Sequence, residues 1–328
     1  AELAKMGEVI TNSQIGRKNI IINGGMQIAQ RGTSSTGLGA ASGYFTLDRY
    51  NMPIGGDASA GRYTMSQSTV TDLEGFSNAL KIDCTTADTS IAASEALLIQ
   101  HNIEGFNLQQ LKATSTTTRA FTLSFYAKSN ASRAIATELR LSNGTNRQAS
   151  KLHTIGTSWT RYTFTVPAAS STQIDNDNTN EMQVNFWIHA GTTYSSGTLS
   201  ATLEASNNAN RAAGIGSIFA STDNTLEITG IQLEVGSQAT PFEHRSFGEE
   251  LLLCQRYFYQ ITGDSATTRG RFASGNYFST TQGDITIPFA VKLRDTYALE
   301  HSGVSTIQVT SATADIATTV LALALSGC

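Results

Sequence analysis

Few residues of this 328-residue chain stand where their types and spacing do chemistry. The densest oxygen-rich stretch is Asp175-Asn176-Asp177-Asn178-Thr179-Asn180-Glu181. Ca²⁺ takes roughly six to eight oxygen ligands, and Asp175, Asp177 and Glu181 can supply carboxylates to one. The stretch departs from the EF-hand loop, with no glycine at the sixth place and a final Glu that comes too early. A solvated turn has the same composition. The second candidate is aromatic. Trp187 alternates out of the Val184, Phe186, Ile188 pattern onto a face with Asn185 and His189. Aromatic faces dock on the apolar C–H faces of pyranose rings while nearby polar side chains meet the hydroxyls. Trp187, Asn185, His189 and Tyr194 are therefore the candidate glycan-binding set, with a subunit interface or simple packing as the alternatives. Tyr50, Tyr126 and Trp159 are further aromatics of this kind.

Catalytic signatures are missing. No G-x-x-x-x-G-K-[ST], G-x-S-x-G or H-E-x-x-H occurs, and Gly214-Ile215-Gly216 lacks the third glycine of a dinucleotide loop. His101, His153, His189, His244 and His301 are too scattered for a local metal signature, and no glycosidase carboxylate pair stands out. The expectation is a protein that is not an enzyme and carries no cofactor, Ca²⁺ aside. A net charge of −4, with charged residues at 15%, gives no basic footprint for nucleic acid or anionic membrane. Cys84, Cys254 and Cys328 are odd in number and far apart, which argues against a disulfide framework and for a reducing place of synthesis. No apolar run approaches the ~18 residues of a membrane span, and the first 30 residues lack the apolar core of a secretion signal.

The elements that must position these residues are mostly strands. Leu3, Met6 and Ile10 have a weak helical spacing closed by Arg17-Lys18, which suits an attachment arm that orders on a partner, or a frayed terminus. From Asn19 the pattern is β. Strands are expected around Ile20–Ile28, Phe45–Met52, Arg62–Ser66, Ala79–Cys84, Phe121–Tyr126, Thr137–Leu141, Trp159–Val166, Met182–Ile188 and Leu226–Val235, with a helical patch at Ala92–Ile99. Gly230 breaks the last strand's period, as a bulge does. Period-two strands joined by polar loops describe a jelly-roll β-sandwich over 19–245. Ser246 and Glu249 then form a capping-box pair, and Phe247, Leu251, Cys254 and Phe258 make the seam of a connecting helix over 246–260. Residues 261–328 return to a small β domain, which needs support from the helix, the first domain or other copies.

Two segments resemble virion proteins of tailed bacteriophages and related gene-transfer particles, of the tail-fibre, head-fibre or spike type. One is Asn19-Ile20-Ile21-Ile22-Asn23-Gly24-Gly25-Met26-Gln27-Ile28-Ala29-Gln30-Arg31-Gly32 with Phe45-Thr46-Leu47-Asp48-Arg49-Tyr50. The other runs from Ile228-Thr229-Gly230-Ile231 through Thr240-Pro241-Phe242-Glu243-His244-Arg245 to Cys254-Gln255-Arg256-Tyr257-Phe258-Tyr259. Phe121–Ser129 and Thr157–Pro167 also look like strands of a carbohydrate-binding-module jelly roll, in which the first strand lies near the last. That resemblance implies that Trp159 and Tyr162 are framework residues, and it does not by itself transfer sugar binding.

Together these imply a particle-surface fibre or spike protein, located on the virion and made in the host cytoplasm. It attaches through its N-terminus to tail, baseplate or capsid proteins and meets host-surface polysaccharide. The alternative is a capsid-bound decoration or head-spike protein with a purely structural role. The group's fibres are commonly trimers, so the resemblance implies a homotrimer, or a pentamer at a fivefold head vertex.

Overall fold

The computed structural model describes residues 17–56, 59–144, 146–170, 172–260, 274–277, 283–286, 288–295, 308–310 and 315–317. The arm residues Leu3, Met6 and Ile10 lie outside these, as does Val320–Leu325. Residues Ala1–Lys292 gather into one compact unit and Leu293–Cys328 into a second. In the second unit, Gln308–Thr310 pairs antiparallel with Asp315–Ala317. The first unit runs past the boundary expected at residue 260 and contains the paired strands Ser274–Tyr277 and Gly283–Thr286.

The first unit is mainly β. A six-stranded sheet has the order β1 (Ser34–Leu38), β4 (Arg62–Thr69), β5 (Asn78–Thr86), β15 (Thr225–Val235), β8 (Phe121–Ser129), β11 (Thr160–Val166). A seven-stranded sheet has the order β14 (Glu204–Ala205), β10 (Arg147–Ile155), β9 (Arg133–Leu141), β13 (Asn180–Ala190), β6 (Ala96–Glu104), β2 (Tyr50–Asn51), with β3 (Ile54–Gly55) also on β6. β7 (Thr117–Thr118) and β12 (Ala169–Ser170) pair separately. Phe121, Leu123, Phe125, Phe164, Leu226, Ile228 and Leu233 from the first sheet are buried in one core cluster with Leu97, Ile99, Leu139, Met182, Val184, Phe186 and Ile188 from the second. Period-two alternation sends one face of each strand there, as expected of an antiparallel sandwich.

The departures have local causes. Ala92–Ile99 is not helical. Residues 96–104 form β6, whose apolar run is buried on both sides: Leu97 and Ile99 enter the main core, while Ala96 and Leu98 pack with Trp187 on the other face. A run buried on both sides carries no alternation to identify it as strand. β10 shows no apolar alternation in the sequence for a related reason, since Gln148, Ser150 and His153 are polar yet buried. The Ile20–Ile28 stretch holds no regular strand, because Asn23 and Met26 take positive φ. It nevertheless lies along β15 as expected: the Ile20 N–H donates to the Leu233 carbonyl at 2.9 Å, and the Ile231 N–H donates to Gly24 at 3.0 Å. A β-carbon on Gly24 would stand 2.2 Å from the Ile231 carbonyl oxygen, so this close approach requires glycine.

The connecting helix is shorter than expected, Phe247–Gln255, with Ser246 accepting from the Glu249 N–H as its N-cap. Its seam is also different. Phe247 is 60% exposed, while Cys254 is buried against Ile22 and Ile28, and Glu250 is buried too. Glu250 is inside because it accepts the Asn23 N–H at 2.5 Å and faces Arg245. After the helix, Arg256 forks onto Glu104 at 2.7 and 2.8 Å, the Tyr257 hydroxyl donates to the same carboxylate at 2.6 Å, and Arg49 stacks on the Tyr257 ring at 3.4 Å. The two segments that resemble virion proteins are thus one structural joint.

Candidate functional site

The outer face of the seven-stranded sheet holds most of the first candidate set. Trp187 and Asn185 do share that face, and Tyr194 packs against Trp187 with ring centroids 5.2 Å apart. A bulge between Trp187 and His189 puts His189 opposite Leu97, on the core side against Phe219, which corrects the expectation that it shares their face. The face is covered by Leu199, Ala212 and Ile215, and Trp187 is 1% exposed. Glu138, fully buried, accepts the Trp187 indole N–H at 2.9 Å, the Asn185 amide at 2.8 Å and the Arg211 fork at 2.8 and 2.9 Å. His189 is held between Glu95 at 3.0 Å and Ser217 at 2.8 Å. The polar groups of Trp187, Asn185 and His189 are spent inside the protein, and only Tyr194 reaches half-exposure. This cluster is a second, polar-centred core, which corrects the expectation of a sugar-facing surface. Tyr50 is likewise fully buried, its hydroxyl donating to the Asn23 carbonyl.

The acidic candidates are brought together. One carboxylate oxygen each from Asp175, Asp177 and Glu181 lies within 4.8 Å of the others. The loop is tied down from outside: the Phe106 N–H donates to the Asp177 carbonyl at 2.9 Å, and Gln109 to the Asp175 carbonyl at 2.8 Å. Glu181 is buried, and that burial, with Asp175 adding to it, pushes its carboxyl above the usual range. The Gln173 amide beside Asp175 holds that carboxyl low. The three therefore offer a partly buried, electrostatically crowded oxygen set of the chemistry a hard divalent cation takes. Asn180 completes the loop as an exposed residue at the start of β13.

The outer face of the six-stranded sheet carries the group that sequence reasoning assembled only in part. Tyr126 and Lys128 both point outward from β8, between the buried Phe125, Ala127 and Ser129. Arg161 is the register partner of Tyr126 across the β8–β11 ladder, and Thr160 is that of Ala127. Trp159 and Arg161 thus fall beside Lys128 and Tyr126, with the aromatics on one diagonal and the cations on the other. The contacts agree: Lys128 lies 4.9 Å from the Trp159 ring and Arg161 5.9 Å from the Tyr126 ring. All four are half-buried. Asp72 reaches in from the loop after β4 and accepts the Trp159 indole N–H at 2.9 Å and the Lys128 ammonium at 3.0 Å. Those bonds, Lys128 first, hold its carboxyl below the usual range.

Loops extend the patch. Phe76 packs on Tyr126 at 5.3 Å and on Phe242 at 5.0 Å, and the exposed His244 meets Phe242 at 4.9 Å. Gly230 makes room. Its φ is +60° and a β-carbon there would stand 2.7 Å from Phe76 and 2.9 Å from Tyr126, so the bulge read from the sequence is what lets the aromatics close over β15. Tyr162, a framework residue by resemblance, does pack on the core, whereas Trp159 stands on the outer face. The signal for this block was present as two alternating pairs, Tyr126/Lys128 and Trp159/Arg161. Joining them required the pairing of β8 with β11.

No protein-family profile and no curated protein matches the chain. Among solved structures, a family 30 carbohydrate-binding module is similar at 13% identity and TM-score 0.35, covering 71% of this chain and 96% of its own. A family 11 carbohydrate-binding module of the Clostridium thermocellum cellulase Lic26A-Cel5E is similar at 11% identity and TM-score 0.31, covering 63% and 98%. The enzymatically active domain of tailspike protein 4 of bacteriophage CBA120 is similar at 12% identity and TM-score 0.33, covering 66% of this chain. The chain spans only 21% of that tailspike structure's length.

Proposed function

We propose that this chain is a non-catalytic particle-surface protein, of the phage fibre or spike type, whose sandwich contacts host-surface polysaccharide. The glycan part is carried by the Tyr126–Arg161–Trp159–Lys128 block, an aromatic and charged patch on the outer face of the sheet at its β11 edge. Half-exposed rings among polar groups that are already oriented suit the alternating apolar and hydroxyl surface of a sugar. The particle part is supported by the sequence resemblance of 19–32, 45–50 and 228–259, segments that pack into one joint and fix the helix to the sandwich. In this reading the N-terminal segment with Leu3, Met6 and Ile10 attaches the protein to tail, baseplate or capsid partners. The assembly is a homotrimer, with a pentamer expected at a head vertex.

Locating the protein on particles by cryo-EM, alongside a glycan array with the purified full-length chain, tests the reading. A surface position with array binding is the expected result. A surface position with no array binding would favour the purely structural decoration role.

A further inference from the structure

We infer that the Tyr126–Arg161–Trp159–Lys128 block is a subsite for an acidic sugar, with the pyranose ring against the aromatic diagonal and its carboxylate on Arg161. This rests on the glycan reading above and names the ligand class. The argument turns on the two cations, which are not equivalent. Lys128 is already answered by carboxylates, Asp72 at 3.0 Å and Glu227 at 3.9 Å. Arg161 has only neutral acceptors, the Ser124 hydroxyl at 3.0 Å and the Thr240 carbonyl, and no carboxylate pairs with it among the described residues.

Both of those bonds use one terminal nitrogen, Nη2. The Arg161 Nε is buried and has no acceptor. With Nη2 bonded twice and Nε buried, Nη1 is the nitrogen left to donate to a ligand carboxylate. The fixed Nη2 orients the guanidinium before any ligand arrives. Thr163, exposed on the same face of β11, adds a hydroxyl beside it. β11 ends the six-stranded sheet, so no further strand of that sheet lies beyond the block along the ladder. An acidic polysaccharide brings the missing counter-charge and the ring face together, which a neutral glycan does not.

The test is affinity electrophoresis and calorimetry of the full-length protein with polygalacturonate, alginate and hyaluronate, each beside its carboxyl-reduced, neutral counterpart. The expected result is binding to at least one acidic polymer about tenfold or more tighter than to its reduced form, as charge-assisted hydrogen bonds allow. Arg161→Gln should bring that affinity down to the level of the reduced polymer. Trp159→Ala should weaken both. Free galacturonic acid should compete with an acidic polymer where galactose does not, a readout on the wild-type protein that does not depend on how a variant folds. Equal binding of acidic and reduced polymers, or an unchanged affinity in a folded Arg161→Gln protein, would overturn the acidic subsite and leave the glycan reading standing. Failure to bind any of the six polymers would overturn the subsite. Failure on a broad glycan array as well would remove the glycan reading with it.

Discussion

Trp187 donates its indole N–H to Glu138 at 2.9 Å, and this one bond turns the most conspicuous aromatic of β13 inward to a buried carboxylate. Glu138 also binds Arg211, whose guanidinium lies 4.7 Å from the Trp187 ring. Ring, acid and cation form a closed set beneath the Gly191–Ile215 stretch. Its polar groups answer one another inside the protein.

Glu138→Ala should therefore destabilise the fold by about 3–5 kcal/mol, because Arg211 is left as an uncompensated, largely buried charge. Denaturant unfolding measures this. A loss under about 0.5 kcal/mol, the range of a surface substitution, would mean the network is exposed in solution. Trp187→Phe should likewise lower stability while leaving glycan binding unchanged.

Stability should fall as the pH drops below the ordinary histidine range. His101 is buried, and burial, with Arg49 nearby, holds its pKa well below 6.5. Burial also depresses His153, to about 4. The unfolded chain takes up protons near pH 6.5 that these folded imidazoles refuse, so each contributes stability above pH 6.5 that is lost at up to ~1.4 kcal/mol per pH unit below it. Asp48 and Glu181, whose pKa values are raised, act in the opposite sense, and only as the pH approaches the carboxylate range. Urea midpoints between neutral pH and about pH 5 should decline, and His153→Gln should make the decline shallower. A flat profile would contradict this.

Glu181→Gln should raise stability at neutral pH in the presence of a chelator, since it removes a buried carboxylate beside Asp175. Millimolar Ca²⁺ should raise the melting temperature of the wild-type protein and do so much less in the variant. Equal shifts in both, or none in the wild type, would leave the loop a plain turn.

These predictions also mark what the sequence made legible. Alternation alone placed β8, β13 and β15 and the bulge at Gly230, because each of these strands sends alternate side chains into the core. It failed for β6, where Leu97 and Leu98 are buried on opposite faces. Asp175, Asp177 and Glu181 were found because they are close in sequence. Alternation gives the correct face for Trp187 and Asn185 but not their environment, since whether a face meets solvent depends on Ala212 and Ile215 far along the chain, and it misplaces His189, which a bulge turns to the core side. Arg161 and Tyr126 are 35 residues apart and meet only through strand register.

At the joint, Leu251→Ala should cost less than the about 2–5 kcal/mol of a fully buried leucine, because Leu251 is only partly covered. Tyr257→Phe should cost about 1–3 kcal/mol by removing a hydrogen bond to the buried Glu104 carboxylate. A Tyr257→Phe protein as stable as wild type would mean the chain after the helix is not clamped to the sandwich.

The central claim is that the outer face of the six-stranded sheet meets sugar. Its most direct test is the binding of host-surface polysaccharide by the wild-type protein and by a Tyr126→Ala/Trp159→Ala double variant, measured by calorimetry beside their unfolding midpoints. Binding by the wild type, with loss in a double variant that still unfolds cooperatively, is the predicted result. Unaltered binding by a folded double variant would contradict it.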